Sequence, residues 1–248
     1  EDLMIQLILA SASPRRRELL TVFGLPFVVH TADIDENALP DEAPEPHACR
    51  LAETKARTIA ARSGEAVVLA ADTIVVQHGK ILGKPRDAAD ARWMLQSLRE
   101  APHQVITAVA VSLPQTHGAP HCKDESSVDN LTQRILSASH TSRVVMRSYT
   151  DAEIDTYIAS GDPMDKAGAY AIQNSEFKPV ANYDGCFASI MGLPLSVVAN
   201  LLQQVELYPA QDWPDKCAVF TGLCCQSDGG CDSSQCPLIP QTVDDAYG

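Results

Sequence analysis

Residues 7–24 read LILASASPRRRELLTVFG. The apolar run from Ile5 to Ala10 has the length and flanks of a buried strand. Ser13 then stands where an N-cap belongs and Pro14 at a first helical position. Leu19, Leu20 and Phe23 give the helix an apolar side, and Gly24 suits its stop. Strand, tight turn and helix in eighteen residues is the unit of an α/β fold. Arg15, Arg16 and Arg17 crowd the end of the helix whose backbone dipole is already positive, so they are locally unfavourable unless an anion is expected there. The plain alternative is a capped surface helix with solvated arginines.

The same grammar continues outward. PFVVHTA (26–32) reads as a second strand, and DIDENALPDEAPEP (33–46) as an acidic loop whose prolines bar a regular element through most of it. A helix is predicted from about His47 to Ser63, closed by Gly64, with Leu51, Ala52, Ala56, Ile59 and Ala60 buried. AVVLAADTIVV (66–76) is the strongest strand, and HG turns it into a short return strand, KILGKP (80–85). Asp87 caps a helix carrying Ala91, Met94, Leu95 and Leu98. HQVITAVAVSL (103–113) is a strand rich in β-branched residues. Residues 114–140 are polar and aperiodic, which predicts an inserted surface loop. RVVMR (143–147) returns to strand, TDAEIDTYIASG (150–161) opens with a capping box, CFASIMG (186–192) reads as a final strand and LSVVANLLQQV (195–205) as a final helix. Alternation with at least one hairpin predicts an α/β class with a mixed sheet. One domain over 1–205 is expected, followed by an irregular, acidic, Cys-rich tail over 206–248.

The 248 residues are 45 % hydrophobic and 21 % charged, ordinary for a globular chain. No apolar stretch approaches the roughly 18 residues that span a bilayer, and the N-terminus lacks the features of a leader, so the expectation is a cytoplasmic chain with no membrane contact. A net charge of −13 argues against non-specific nucleic-acid binding. It leaves room for a small anion held by local cations, for which Arg15–Arg17, Lys55, Arg57 and Lys84 are candidates. Eight cysteines are present, five of them at 217, 224, 225, 231 and 236. Their spacing matches no pair of short Cys-x2–4-Cys zinc arms, so tail metal binding and free thiols both stay open.

Asp72 inside VVLAADTIVV carries the sharpest signal. A carboxylate in an apolar strand costs several kcal/mol to desolvate when unpaired. It is either a strand-end cap or a group set at the sheet edge to hold a metal or activate water. GDPMDKAGAYAIQ (161–173) suits no plain core element, and its Gln173 offers both donor and acceptor to a base edge. Lys55, Lys84 and the acidic pair Asp35 and Glu36 read individually as solvated side chains.

In series these stretches stop looking independent. SASPRR, Glu36 in its loop, RLAETKA, AADTIVV, GKP, HQVITAV, DKAGAYAIQ and GLPLS occur in an order and spacing that resembles the Maf family of nucleoside triphosphate pyrophosphatases, over about Leu7 to Val205. The resemblance implies a Maf/ITPase-like fold, a twisted mixed sheet with flanking helices and two lobes around a nucleotide cleft. It implies cleavage of a triphosphate between its α and β phosphates with a divalent metal, Mg²⁺ or Mn²⁺. On this chain it makes Asp72 the general base or a metal carboxylate and Glu36 the second metal residue. It places Ser13, Arg15, Arg16, Lys55 and Lys84 on the phosphates. Arg15, Thr73 and Gln173 match positions that mark specificity, and DKAGAYAIQ resembles the branch acting on dTTP and UTP. A homodimer is left open. The alternatives are a member specific for another nucleotide such as 7-methyl-GTP, and a nucleotide-binding regulator with little turnover. Three departures stand against the pattern: Asn174 occupies the place where Gly is usual after Ile-Gln, SLREAPHQV lacks the usual Ser-Gly before its histidine, and the 114–140 insertion exceeds the usual connection.

Overall fold

A computed structural model describes residues 6–113 and 134–221. Strands β1 (Leu7–Leu9), β2 (Phe27–Val29), β3 (Val67–Gln77), β4 (Lys80–Leu82), β5 (Pro102–Ser112), β6 (Ile135–Met146) and β7 (Val180–Asp184) form one mixed sheet. Its order is β2-β1-β3-β5-β6-β7, with β4 on β3. β1 runs parallel to β2 and β3, and the remaining pairs are antiparallel. The helices are α1 (Pro14–Thr21), α2 (Pro44–Ala60), α3 (Ala88–Leu98), α4 (Asp151–Ala159), α5 (Phe187–Met191), α6 (Leu195–Gln203) and α7 (Trp213–Thr221).

Alternation along β3 divides the core. Val67, Leu69 and Ala71 pack with Leu19, Leu20 and Phe23 of the first helical unit and with α5 and α6. Val68, Ala70 and Ile74 face the other way, onto Ala52, Ala56 and Ile59 of α2. Beyond Thr73 the strand enters a second packing region, where Val75 and Leu82 meet Leu95 of α3, Ile154 of α4, and Tyr170.

What opens the molecule for function is a gap along one side of β3. β1 pairs only with Val67–Leu69, and β4 only with Val75–Gln77. Between them, Ala70–Ile74 have no strand neighbour on that side among the described residues. Asp72 lies in the middle of this gap.

Several elements depart from the sequence expectation. FASIM is a helix rather than the last strand: Cys186 caps it, accepting from the Ser189 N–H at 3.4 Å, and Gly192 closes it at φ +118°. A five-residue apolar run lacks the length that would tell strand from helix. Residues 135–140, expected in the inserted loop, pair with β5 in unbroken register to Ser112 and form the first half of β6. Residues 114–133 lie outside the described residues, as do the cysteines past 221. The long helix begins at Pro44, three residues early, because proline at N1 has no N–H to leave unpaired. The strand at 180–184 was not anticipated within the stretch after Gln173.

Part of the tail expected to be irregular is helical, at 213–221, while residues 222–248 lie outside the described residues. α7 docks on the core, with Cys217 fully buried and Trp213 edge-on to Phe23 at 5.4 Å. The Ala210 N–H bonds the Phe23 carbonyl at 2.9 Å, fixing the approach. Trp213→Ala is therefore expected to cost about 2 kcal/mol and several degrees of Tm, read by thermal unfolding. An unchanged Tm would mean that α7 does not dock in solution.

Candidate functional site

A cleft of about 820 Å³ opens at the gap in β3. Its walls come from the β1–α1 turn, the loop before α2, one face of α2, the middle of β3, the turn after β4 and the 161–173 segment. The nine residues to which the resemblance gives site roles line it: Ser13, Arg15, Arg16, Glu36, Lys55, Asp72, Thr73, Lys84 and Gln173; Arg17, Asp35 and Arg57, also raised from the sequence, are absent from the lining.

Lys55 is the hinge of the charged wall. α2 presents it to the even-numbered face of β3, where its ammonium sits 2.6 Å from Asp72 Oδ1 and 2.6 Å from Glu36 Oε1. Lys84 approaches Glu36 Oε2 at 3.6 Å. Asp72 is only 7 % exposed and Lys55 8 %, so each neutralises a charge that would otherwise be stranded. Burial resists ionisation of Glu36, but the hydrogen bond and charge of Lys55, with Lys84 behind it, hold its carboxyl below the usual range.

The loop bearing Glu36 is itself pinned. Glu42 accepts from Arg50 Nε at 2.5 Å and Nη2 at 2.7 Å, meets His47 Nδ1 at 2.8 Å, and accepts the Leu39 N–H at 3.0 Å. Arg50 also holds the Asn37 carbonyl at 3.0 Å. Sequence reading missed this clamp, because Glu42 and Arg50 look like ordinary surface charges until the loop folds back on α2.

The β1–α1 turn answers why arginines begin a helix. Ser13 occupies the N-cap position, yet its hydroxyl makes no capping bond. Arg16 turns inward: Nε donates to the Gly192 carbonyl at 2.8 Å, Nη2 to Thr73 Oγ1 at 2.9 Å and Nη1 to Ser11 Oγ at 3.3 Å. Burial pulls its pKa down, while Asp72 opposes that shift. Arg15 Nε, in contrast, is buried with no hydrogen-bond partner. A buried guanidinium N–H with no acceptor is costly, so this donor has a hydrogen bond left to give.

The 161–173 segment supplies the far wall. Lys166 is buried and clamped by the Asp162 carbonyl, Asp162 Oδ1 at 3.0 Å and Asp165 Oδ1 at 2.6 Å. Gly168 (φ +68°) lies so close to β3 that a Cβ there would meet Val75 at 3.0 Å, and its N–H bonds the Gly83 carbonyl at 3.1 Å. This ties the wall to the turn that carries Lys84. Gln173 is exposed in a turn at the rim.

Behind the wall, His103 Nε2 meets the Tyr170 hydroxyl at 2.7 Å, with the rings edge to face. Burial pushes the His103 imidazole down to about 4. The unfolded chain, near the usual 6.5, therefore takes up this proton first as pH falls. The stability from a neutral His103 is full above pH 6.5 and is lost as pH falls from there towards 4. Roughly 2 kcal/mol should go between pH 7 and pH 5. Unfolding measurements at both pH values should show His103→Gln losing less over this interval than the wild type; equal losses would refute the assignment.

A family model described as Maf-like protein matches residues 6–205. The chain belongs to the Maf family. Among its curated Maf relatives, one from Thermomicrobium roseum, named dTTP/UTP pyrophosphatase, is 42 % identical over 239 residues, covering 96 % of this chain and 95 % of the relative. Relatives of the same name from Anaeromyxobacter dehalogenans (45 % identical; 80 % of this chain, 93 % of the relative) and Symbiobacterium thermophilum (43 %; 88 % and 98 %) agree. Among solved structures, a nucleoside-triphosphatase / dITP/XTP pyrophosphatase from Mycobacterium abscessus shares 15 % identity at a TM-score of 0.34, over 57 % of this chain and 74 % of that one, a likeness too slight to carry an argument.

Two of the departures, Asn174 and the residues just before His103, lie outside the cleft lining. Asn174 is spent on its own turn, with Oδ1 accepting from the Phe177 N–H at 2.7 Å and Nδ2 donating to Asp162 at 3.2 Å. In SLREAPHQV, Glu100 holds φ +56°, the left-handed conformation that glycine adopts without strain. No helix among the described residues of this Maf chain is long and apolar enough to cross a membrane.

Proposed function

We propose that this chain is a nucleoside triphosphate pyrophosphatase that hydrolyses dTTP and UTP to the monophosphate and pyrophosphate. The observation that carries this reading is the placement of Asp72 and Glu36 on one lysine ammonium, at a break in the sheet walled by further cations. Pure binding of a triphosphate has no use for a carboxylate buried as Asp72 is, with a second one beside it, which favours turnover over a regulatory role. The dTTP and UTP preference rests on the names of the relatives.

The donor set fits Mg²⁺ or Mn²⁺. Sharing one ammonium keeps the two carboxylates within roughly 5 Å of each other, and Mg²⁺ commonly takes one or two carboxylates plus water and phosphate oxygens. Bound by Asp72 and Glu36, such a cation would neutralise charge building on the phosphates.

The remaining work falls to side chains of this chain. Arg15, with its unpaired Nε, and the Ser13 hydroxyl receive phosphate oxygens at the helix start. Lys55 and Lys84 line the opposite wall and balance charge on the departing pyrophosphate. Asp72 accepts a proton from the attacking water. The water oxygen bonds to the α-phosphorus as the bridge to the β-phosphate breaks, and pyrophosphate leaves with that electron pair. Thr73 and Gln173 face the nucleoside.

A nucleotide panel with Mg²⁺ or Mn²⁺, resolving pyrophosphate from orthophosphate, tests this. Pyrophosphate from dTTP and UTP is the expected result. Pyrophosphate from a different nucleotide would refute the substrate and keep the reaction, whereas orthophosphate alone, or no hydrolysis by folded protein, would refute the reaction.

A further inference from the structure

Asp72 and Thr73 are consecutive on β3 and point to opposite faces. Asp72 meets Lys55, whereas Thr73 joins a chain of hydroxyls on the side of Arg16. Thr107, directly across on β5 and fully buried, places its Oγ1 2.8 Å from the Ser189 carbonyl and 3.0 Å from Thr73 Oγ1. Thr107 is absent from the cleft lining; Thr73 is part of it.

Donor accounting fixes the direction of this chain. A carbonyl oxygen only accepts, so the Ser189 bond consumes the single hydroxyl proton of Thr107. The Thr73 to Thr107 bond must then use the proton of Thr73. Arg16 Nη2 donates into one lone pair of Thr73, and the bonds of Arg16 to Gly192 and Ser11 keep the guanidinium from turning. Thr73 is left with one lone pair and no proton to offer the cleft.

We infer that Thr107 is a positioning residue that orients the Thr73 hydroxyl, so that the nucleoside group seated against Thr73 has to be a hydrogen-bond donor. This rests on the reading of the cleft as a pyrimidine nucleotide site. Phosphate oxygens, being acceptors, are turned away from this face and towards Lys55. Two suitable donors are common to dTTP and UTP, the N3–H of thymine or uracil and the sugar 3′-hydroxyl. Cytosine carries a bare N3 acceptor and is mismatched to Thr73 if the base sits there.

The test compares kcat/KM for UTP with CTP, and for dTTP with its 3′-fluoro-3′-deoxy analogue, in wild type, Thr107→Val and Thr107→Ser. Valine removes the acceptor that holds the Thr73 proton, and serine restores it. Discrimination against CTP should fall about tenfold in Thr107→Val if the donor is the imide, or against the fluoro analogue if it is the sugar hydroxyl. Thr107→Ser should keep the wild-type ratios. Both ratios unchanged in Thr107→Val would overturn the inference while leaving the pyrophosphatase reading standing. A wild type that releases no pyrophosphate from UTP or dTTP would defeat that reading and this one with it. Should Thr107→Val fail to fold, NMR of the wild type decides. A slowly exchanging Thr73 hydroxyl proton with a cross-peak to Thr107 supports the assignment, and a proton free to the cleft refutes it.

Discussion

Asp72→Asn is expected to lower kcat for dTTP and UTP by about 10²–10⁴-fold, the range for loss of a positioned proton acceptor. Asparagine keeps the size of aspartate and an oxygen for Lys55, but it cannot take the proton of the attacking water. Because the phosphate-facing cations stay in place, binding of a non-hydrolysable nucleotide should change far less than turnover. Stability should hold as well, since Lys55 retains Glu36 at 2.6 Å as its counter-charge. Single-turnover kinetics beside equilibrium binding make the comparison. A variant that keeps more than a tenth of wild-type kcat would remove Asp72 from the chemical step.

Lys55→Met produces the largest expected loss of stability. It strands the Asp72 carboxylate in the gap of β3 with its closest cation gone. Removing one partner of a buried ion pair costs roughly 3–5 kcal/mol, more than the pair itself contributes, because the survivor stays desolvated. Glu36, half-exposed, adds little to that penalty, since water screens it. Putting Asp72→Asn into the Lys55→Met background should therefore restore much of the loss. This is the opposite of additive damage, and denaturant unfolding of the four proteins in the cycle would reveal it. A double variant no more stable than Lys55→Met would show that the pair is not coupled as the 2.6 Å contact implies.

Both predictions concern residues the sequence brought forward, but for different reasons. Asp72 stood out alone, because a carboxylate within VVLAADTIVV demands a partner. Lys55 did not: on a helix rich in small residues it reads as surface decoration, and only the packing of α2 across β3 buries it. Lys84 and Glu36 were likewise ambiguous singly and gained their roles through the order of motifs. Glu42, Arg50 and Thr107 went unremarked. The bonds that matter most, Arg50 to Glu42 and to the Asn37 carbonyl and Thr107 to the Ser189 carbonyl, join groups eight or more residues apart, and no local pattern encodes such bonds.

Element types follow the same division. Long periodic segments such as α2, α3 and β5 were legible because their apolar faces repeat over several turns or alternations. The capping box of α4 was read from four residues and is present in full. Short or polar segments were not. FASIM has too few residues to display a period, ILSASH becomes strand by pairing along the edge of β5, and the helix at 213–221 exists through Phe23, which lies almost two hundred residues upstream.

Taken by itself, the sequence determined which residues are too costly to bury or to crowd without a ligand: a lone carboxylate in an apolar strand and three arginines at a helix start. Desolvation and the helix dipole act locally, and local chemistry is written in adjacent letters. Only the tertiary structure decided where those residues meet. β1 stops short and β4 starts late along β3, and this break leaves an opening where Asp72 faces Lys55 and its neighbour Thr73 faces Arg16. That opposition comes from the two-residue period of a strand, but which face became which depended on the helices that packed against it.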